Sequence, residues 1–188
     1  MDHNTPAFAH RSFGKFLSTI NHLLQTANPA SHVVVFDIDA TVLYNTSRNQ
    51  CGAEPNFKVQ RIYDAATKRG FDIYFVTARP GMPSNRKWTI EQLHCMGFDN
   101  FKGLYMRSGR DRTVSDIARF KRNSREDIER RTGKKVLLNM GDQWSDLVVT
   151  TPSAFESLDY QFKGKHVLFY PPPELKAVAA VKLYETRD

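Results

Sequence analysis

The run Val33-Val34-Val35-Phe36 is apolar at every position and ends abruptly in Asp37-Ile38-Asp39. A strand with one wet face alternates apolar and polar residues. An unbroken, β-branched run needs cover on both faces, as strands inside a parallel sheet have. Carboxylates that follow such a strand emerge at its carboxyl end, where open α/β sheets bind their ligands.

The rest of the chain supplies the cover. Phe57 to Arg69 reads as a helix stopped by Gly70, and Phe71 to Val76 as a second strand. Ser84 is expected to cap a helix that runs to Met96 and ends at Gly97, before the brief strand Leu104-Tyr105-Met106. A long helix from about Thr113 to Thr132 closes at Gly133 and leads to a fourth strand, Val136 to Met140. Val167 to Tyr170 makes a fifth strand before Pro171-Pro172-Pro173, and a last helix is expected over Glu174 to Leu183.

Upstream, the stripe Phe13, Phe16, Leu17, Ile20, Leu23 and Leu24 predicts an N-terminal helix over residues 8–26, packed on the domain. Together these elements predict a three-layer α/β/α, Rossmann-like fold with a mainly parallel five-stranded sheet. A chain of 188 residues suits one domain over 1–188. The polar insert at 44–56 is its only candidate cap, so the cap is expected to be minimal.

Charge bears on partners. The formal net charge of +7 favours anions such as nucleotides, phosphorylated proteins or nucleic acid, with a purely solubilising surface as the alternative. Cys51 and Cys95 lie far apart and in no ligand-like spacing, so neither a disulfide nor a zinc site is expected, and a reducing compartment fits. The first residues lack the apolar core of a leader, and no segment approaches the ~20 apolar residues of a membrane span, so a cytoplasmic protein without membrane contact is expected. No P-loop Gly-Lys-Ser/Thr and no HExxH pair occur, which argues against a nucleotide kinase and a metalloprotease.

Four segments in order carry the parts that phosphomonoester hydrolysis needs: a nucleophile, a proton donor, and positive charge for the equatorial oxygens. The first is Asp37-Ile38-Asp39-Ala40-Thr41, whose spacing of two brings both carboxylates out of one strand end. Alone it reads more readily as a capped turn. The second is Thr77-Ala78-Arg79, where a hydroxyl and a guanidinium follow the second strand. The third is Lys121, on the one helix dense enough in cations to turn one inward. The fourth is Gly141-Asp142-Gln143-Trp144-Ser145-Asp146, whose carboxylates after a buried strand call for a cation or a partner.

These segments resemble the haloacid dehalogenase superfamily, whose signature is DxDx[TV], then a Thr or Ser, a downstream Lys and a paired acidic motif. Phe120-Lys121 with Arg125, Gly133, and Gly141 to Leu147 are similar to the branch of plant acid phosphatases, vegetative storage proteins and bacterial outer-membrane acid phosphatases. The resemblance runs from about Val33 to Leu147. It implies that Asp37 attacks phosphorus to form an aspartyl-phosphate and that Asp39 protonates the leaving group and then activates water. It further implies Mg2+ held by Asp37, the main-chain carbonyl of Asp39, and Asp142, with Asp146 supporting the metal or Lys121. Thr77, Ala78 and Arg79 would bind the phosphoryl group beside Lys121, with Arg125 as a further contact.

The chain departs from that pattern in places. Ala40 stands where the family carries Glu or Gly, and its small side chain is expected to leave the backbone undisturbed. The leading expectation is a magnesium-dependent phosphomonoesterase acting on a small phosphate ester such as a nucleotide. Two competing readings remain: a phosphatase for nucleic-acid ends, contacting them through Arg107, Arg110, Arg112 and Arg122, and a non-catalytic phosphate-binding protein on the same fold.

Overall fold

The computed structural model describes residues 8–9, 13–45, 50–111, 113–146, 166–170 and 179–182. Arg112, Leu147, residues 46–49 of the insert and most of the last expected helix lie outside them. The elements in chain order are β1 (Phe8–Ala9), α1 (Phe13–Thr26), β2 (His32–Phe36), β3 (Leu43–Asn45), β4 (Glu54–Pro55), α2 (Phe57–Lys68), β5 (Asp72–Pro80), α3 (Pro83–Cys95), β6 (Gly103–Arg107), α4 (Val114–Thr132), β7 (Lys135–Gly141), β8 (His166–Tyr170) and β9 (Ala179–Lys182).

The main sheet runs β1-β9-β8-β7-β2-β5-β6. Its heart is the expected one: β7, β2, β5 and β6 are all parallel. From β2 the chain steps through α2 to β5 and through α3 to β6, then returns through α4 to β7 on the other side of β2. The strand order therefore reverses beside β2, and a crevice opens there at the carboxyl ends.

The unbroken Val33–Phe36 run is explained by its two neighbours. Val34 and Phe36 join a core with Ile20, Leu23 and Leu24 of α1 and Val59, Ile62 and Tyr63 of α2. Val33 and Val35 turn the other way, against Ile128 and Phe120 of α4. Both faces of one strand are thus dry, which is what forced an all-apolar sequence.

Several expectations are corrected. Among the described residues the sheet has seven strands rather than five, and β8 pairs antiparallel with β7. Residues 179–182, expected in the final helix, instead form β9 against β8. Their alanines favour a helix only weakly enough for strand pairing to override it. Phe8–Ala9 pair with β9 as a strand, so the N-terminal helix begins at Phe13 rather than at residue 8. Ser84 does not cap α3, whose N-cap is Met82 with Pro83 at the first turn. By contrast, α4 starts at a reciprocal capping box between Thr113 and Asp116 and ends at Gly133 with φ +68°.

The insert is a two-stranded antiparallel ribbon of β3 and β4 with a 3-10 turn at Gln50–Gly52. Its cysteine is not free: Cys51 is disulfide-bonded to Cys95 at the end of α3. The pairing overturns the expected unpaired cysteines, and with it their argument for a reducing compartment. Sequence spacing could not foresee it, because the fold lays the insert along α3. Among the described residues, no helix is long and apolar enough to cross a membrane.

Candidate active site

Asp37 leaves β2 with its N–H donated to the Met140 carbonyl of β7 at 2.8 Å, so the ladder carries the carboxylate to the point where the strand order reverses. Beside it, Asp142 follows β7 and Asp146 sits in the short 3-10 turn Trp144–Asp146. One oxygen from each of Asp37, Asp142 and Asp146 lies within 4.8 Å of the others, and all three residues are buried.

Lys121 enters this cluster from α4. Its Nζ donates to Asp37 Oδ1 at 3.0 Å and to Asp146 Oδ1, and the side chain is 2% exposed. Burial alone would pull its pKa down, but the Asp146 and Asp37 carboxylates reverse this and hold it above the ordinary lysine value. Asp37 is pushed well up by burial, against the relief that Lys121 gives it. Asp142 is raised to about 7, first by burial and then by Asp146, although Gln143 Nε2 donates to its Oδ2 at 2.6 Å.

Three buried carboxylates share one ammonium, which touches only Asp37 and Asp146, and the excess of negative charge costs heavily unless a cation joins it. Carboxylate oxygens this close suit a hard divalent ion. The residues could therefore hold a divalent cation, with Asp37, Asp142 and Asp146 as the candidate side-chain ligands. The Asp39 side chain is not part of this set. It turns to Arg79, whose Nε lies 3.1 and 2.9 Å from its two oxygens and whose Nη2 lies 2.6 Å from Oδ1.

Arg79 is itself held: its guanidinium lies 5.3 Å from the Trp88 ring centroid, and Nη1 donates to Thr89 at 3.3 Å. Trp88 and Thr89 escaped sequence reasoning because only the docking of α3 brings them to the end of β5. Thr77 is buried and its hydroxyl accepts from Arg79 N at 3.3 Å, while the Ala78 carbonyl accepts from Arg107 Nε at 2.5 Å. Arg125 sits behind the 3-10 turn, its Nη1 3.5 Å from the Ser145 carbonyl, and burial lowers it to about 10.

Asp37, Asp142, Asp146 and Lys121 thus meet in one cluster, and Asp39, Thr77 and Arg79 form a second group beside it. Of the arginines expected to meet nucleic acid, Arg107 bonds inward to Ala78, Ser108 and Asp111, and Arg122 lies 3.6 Å from Glu126. Ala40 has φ +56°, a left-handed conformation that strains any residue with a β-carbon.

Gln143 and Gly141 were also missed as contributors. Gln143 N holds Asp146 Oδ2 at 3.1 Å, and Gly141 lies directly against the Asp146 side chain. Their signal was in the sequence, as immediate neighbours of Asp142.

The family model for the HAD superfamily, subfamily IIIB (acid phosphatase), matches residues 44–173, beginning just after the Asp37–Asp39 pair. Acid phosphatase 1 of Solanum lycopersicum is 27% identical over 143 residues, covering 64% of this chain and 54% of that protein. The chain therefore spans about half the length of this curated relative. Two solved structures, of the Pnkp1/Rnl/Hen1 complex and of the Pnkp1/Rnl/Hen1 RNA repair complex, align at 21% and 20% identity with TM-scores of 0.40 and 0.44. They cover 49% and 56% of this chain and about a third of theirs, 33% and 34%.

Proposed function

Because the chain belongs to the HAD superfamily, subfamily IIIB acid phosphatases, we propose that it hydrolyses phosphomonoesters through a covalent intermediate on Asp37, with Mg2+ as cofactor. The observation that carries this reading is the contact of Lys121 with Asp37 inside a buried carboxylate cluster at the reversal of strand order. A carboxylate in that position is poised to meet an electrophile, and a fixed ammonium beside it offsets the charge that gathers on the transferring group.

The bonds balance as follows. An Asp37 oxygen forms a bond to phosphorus as the ester P–O bond breaks, and the leaving oxygen takes a proton from Asp39. Asp39, now a carboxylate, removes a proton from water, whose oxygen attacks phosphorus and releases Asp37 with inorganic phosphate. Thr77 and the N–H groups at the end of β5 hold phosphoryl oxygens. Before substrate arrives Arg79 holds Asp39 as a carboxylate through three short contacts to both of its oxygens, so Asp39 can carry the proton it donates only once an incoming phosphoryl group draws Arg79 away. When bound by Asp37, Asp142 and Asp146, the metal supplies positive charge that counters the carboxylate–phosphate repulsion.

The substrate in this reading is a small phosphate ester, with a nucleotide as its first test. The nucleic-acid-end reading draws less support, because Arg107 is committed inward. A cytoplasmic setting no longer has the support that free cysteines gave it.

The test is phosphate release from an aryl phosphate and a nucleotide panel, with Mg2+ and with a chelator. Turnover that needs the metal and disappears in Asp37→Asn supports the reading. A folded protein that turns over nothing, or an Asp37→Asn variant as active as the parent, sinks it.

A further inference from the structure

A second cavity, of about 480 Å3, lies at the edge of the sheet between the early parts of β5 and β6 and the end of α4. That is within the usual size of small-molecule sites and far larger than a phosphate ion needs. Three cations line it, Arg86, Lys102 and Arg131, and no carboxylate does among the described residues. Its apolar surface comes from Tyr74, Tyr105, Leu104 and Ile128.

The cavity is built into the backbone. Tyr74 and Gly103 are paired across β5 and β6, and a β-carbon on Gly103 would fall 3.0 Å from Tyr74 Cδ1. The glycine lets the Tyr74 ring lie against the next strand. The Tyr105 ring then stands 6.5 Å from it at an interplanar angle of 60°, the edge-to-face arrangement of aromatic pairs.

The cations are available for a ligand. Arg86 uses Nη1 on the Leu104 carbonyl at 3.0 Å, which aims the guanidinium along the rim. Arg131 interacts with the Tyr105 hydroxyl, reaches Asp127 only at 3.7 Å and is 68% exposed, so a ligand can draw it off. Lys102 makes no ion pair among the described residues. Neighbouring acids are already engaged: Asp72 by Lys134 at 2.5 Å, and Asp127 by Tyr105 at 3.0 Å and by Arg130.

We infer that this cavity is a second ligand site, separate from the Asp37 cluster, and that it takes a nucleotide. The tyrosine rings offer a stacking surface for a base, and the three cations receive the phosphate. Bare phosphate would leave the apolar half unused, and an uncharged ring would leave the cations unmet. The site lies at the other end of the same elements: Thr77 is three residues, roughly 10 Å, further along β5, and Lys121 is ten residues, roughly 15 Å, from Arg131 along α4.

The probe is the non-hydrolysable 5′-methylenephosphonate analogue of adenosine monophosphate, titrated calorimetrically into the full chain with Mg2+. Two binding events are expected. Lys102→Glu with Arg131→Glu should weaken one at least about tenfold and leave turnover of an aryl phosphate unchanged. Gly103→Val, which displaces the Tyr74 ring but keeps every charge, should remove the same event. Inorganic phosphate alone and adenosine alone should bind there at least about tenfold more weakly than the analogue. A hexanucleotide without terminal phosphate that competes for this event identifies the ligand as a nucleotide within a strand; one that does not identifies a free nucleotide. A single event unaltered in both variants overturns the inference, as does inorganic phosphate binding as tightly as the analogue. Neither result bears on hydrolysis at Asp37.

Discussion

A β-carbon placed on Gly141 would fall 2.1 Å from the carboxyl carbon of Asp146, so the two residues occupy adjoining space with none to spare. The glycine serves closeness here and not turn conformation. It lets the last residue of β7 touch the carboxylate that braces Lys121.

Gly141→Ala should therefore push Asp146 off both Lys121 and the Gln143 N–H. We expect kcat to fall by about 100-fold or more, since misplacement of roughly 1 Å costs that much. Far-UV circular dichroism should remain that of the parent. Kinetics matching the parent would show that Asp146 can move without consequence.

Lys121→Met should expose how much negative charge the cluster holds. Removing the one ammonium in contact with Asp37 and Asp146 leaves buried carboxylates uncompensated, a loss of about 3–5 kcal/mol. Urea unfolding of metal-free protein near neutral pH measures it. The deficit should shrink at pH 5, where the raised carboxyls take up protons, and should shrink again on adding Mg2+.

The pH dependence of the metal-free parent has a definite sign. Asp37 and Asp142 are both raised, Asp142 to about 7. Between the ordinary carboxyl value and the raised one, the folded state holds protons that the unfolded state has lost, so stability falls as pH rises. Melting temperature without metal should thus decline from about pH 4 toward 7 as these groups ionise. The gain from added Mg2+ should be larger at pH 8 than at pH 5, because the ion replaces those protons. An equal gain at both would argue that the cluster is not the metal site.

Ala40→Gly should stabilise the protein. Left-handed backbone costs an alanine about 1–2 kcal/mol, and glycine's greater unfolded-state freedom returns roughly 0.5–1 kcal/mol of that. The expected net is a gain of about 1 kcal/mol or less, read by chemical denaturation, with kcat unchanged or higher.

The parallel heart of the fold was legible because each strand announces itself. Val33–Phe36 is an unbroken apolar run, Val136–Met140 is one interrupted only by Asn139, and Thr113 with Asp116 spells out the start of α4. The strands at the far edge were not legible: Phe8–Ala9 and Ala179–Lys182 are extended only because they pair with each other and with β8. The same division holds at the site. Asp37 and Asp142 follow strand ends that sequence pattern can locate, Asp146 lies in the short turn just after, and Lys121 stands mid-way along α4 on its buried side; their convergence follows from topology. That Asp39 turns away to Arg79, and that Trp88 and Thr89 hold Arg79 in turn, depends on how α3 packs against β5.

The Cys51–Cys95 bridge divides these groups in another way. It closes a covalent ring across a separation of 44 residues that contains α2, β5 and all of α3. Thr77, Arg79, Trp88 and Thr89 all lie inside that ring, whereas Asp37, Lys121 and Asp142 lie outside it. Ring closure on this scale removes roughly 4 kcal/mol of unfolded-chain freedom. In the proposed mechanism, the half of the site that would grip phosphate is thus strung on a loop whose ends cannot part, and the half that would break the ester is tethered by folding alone.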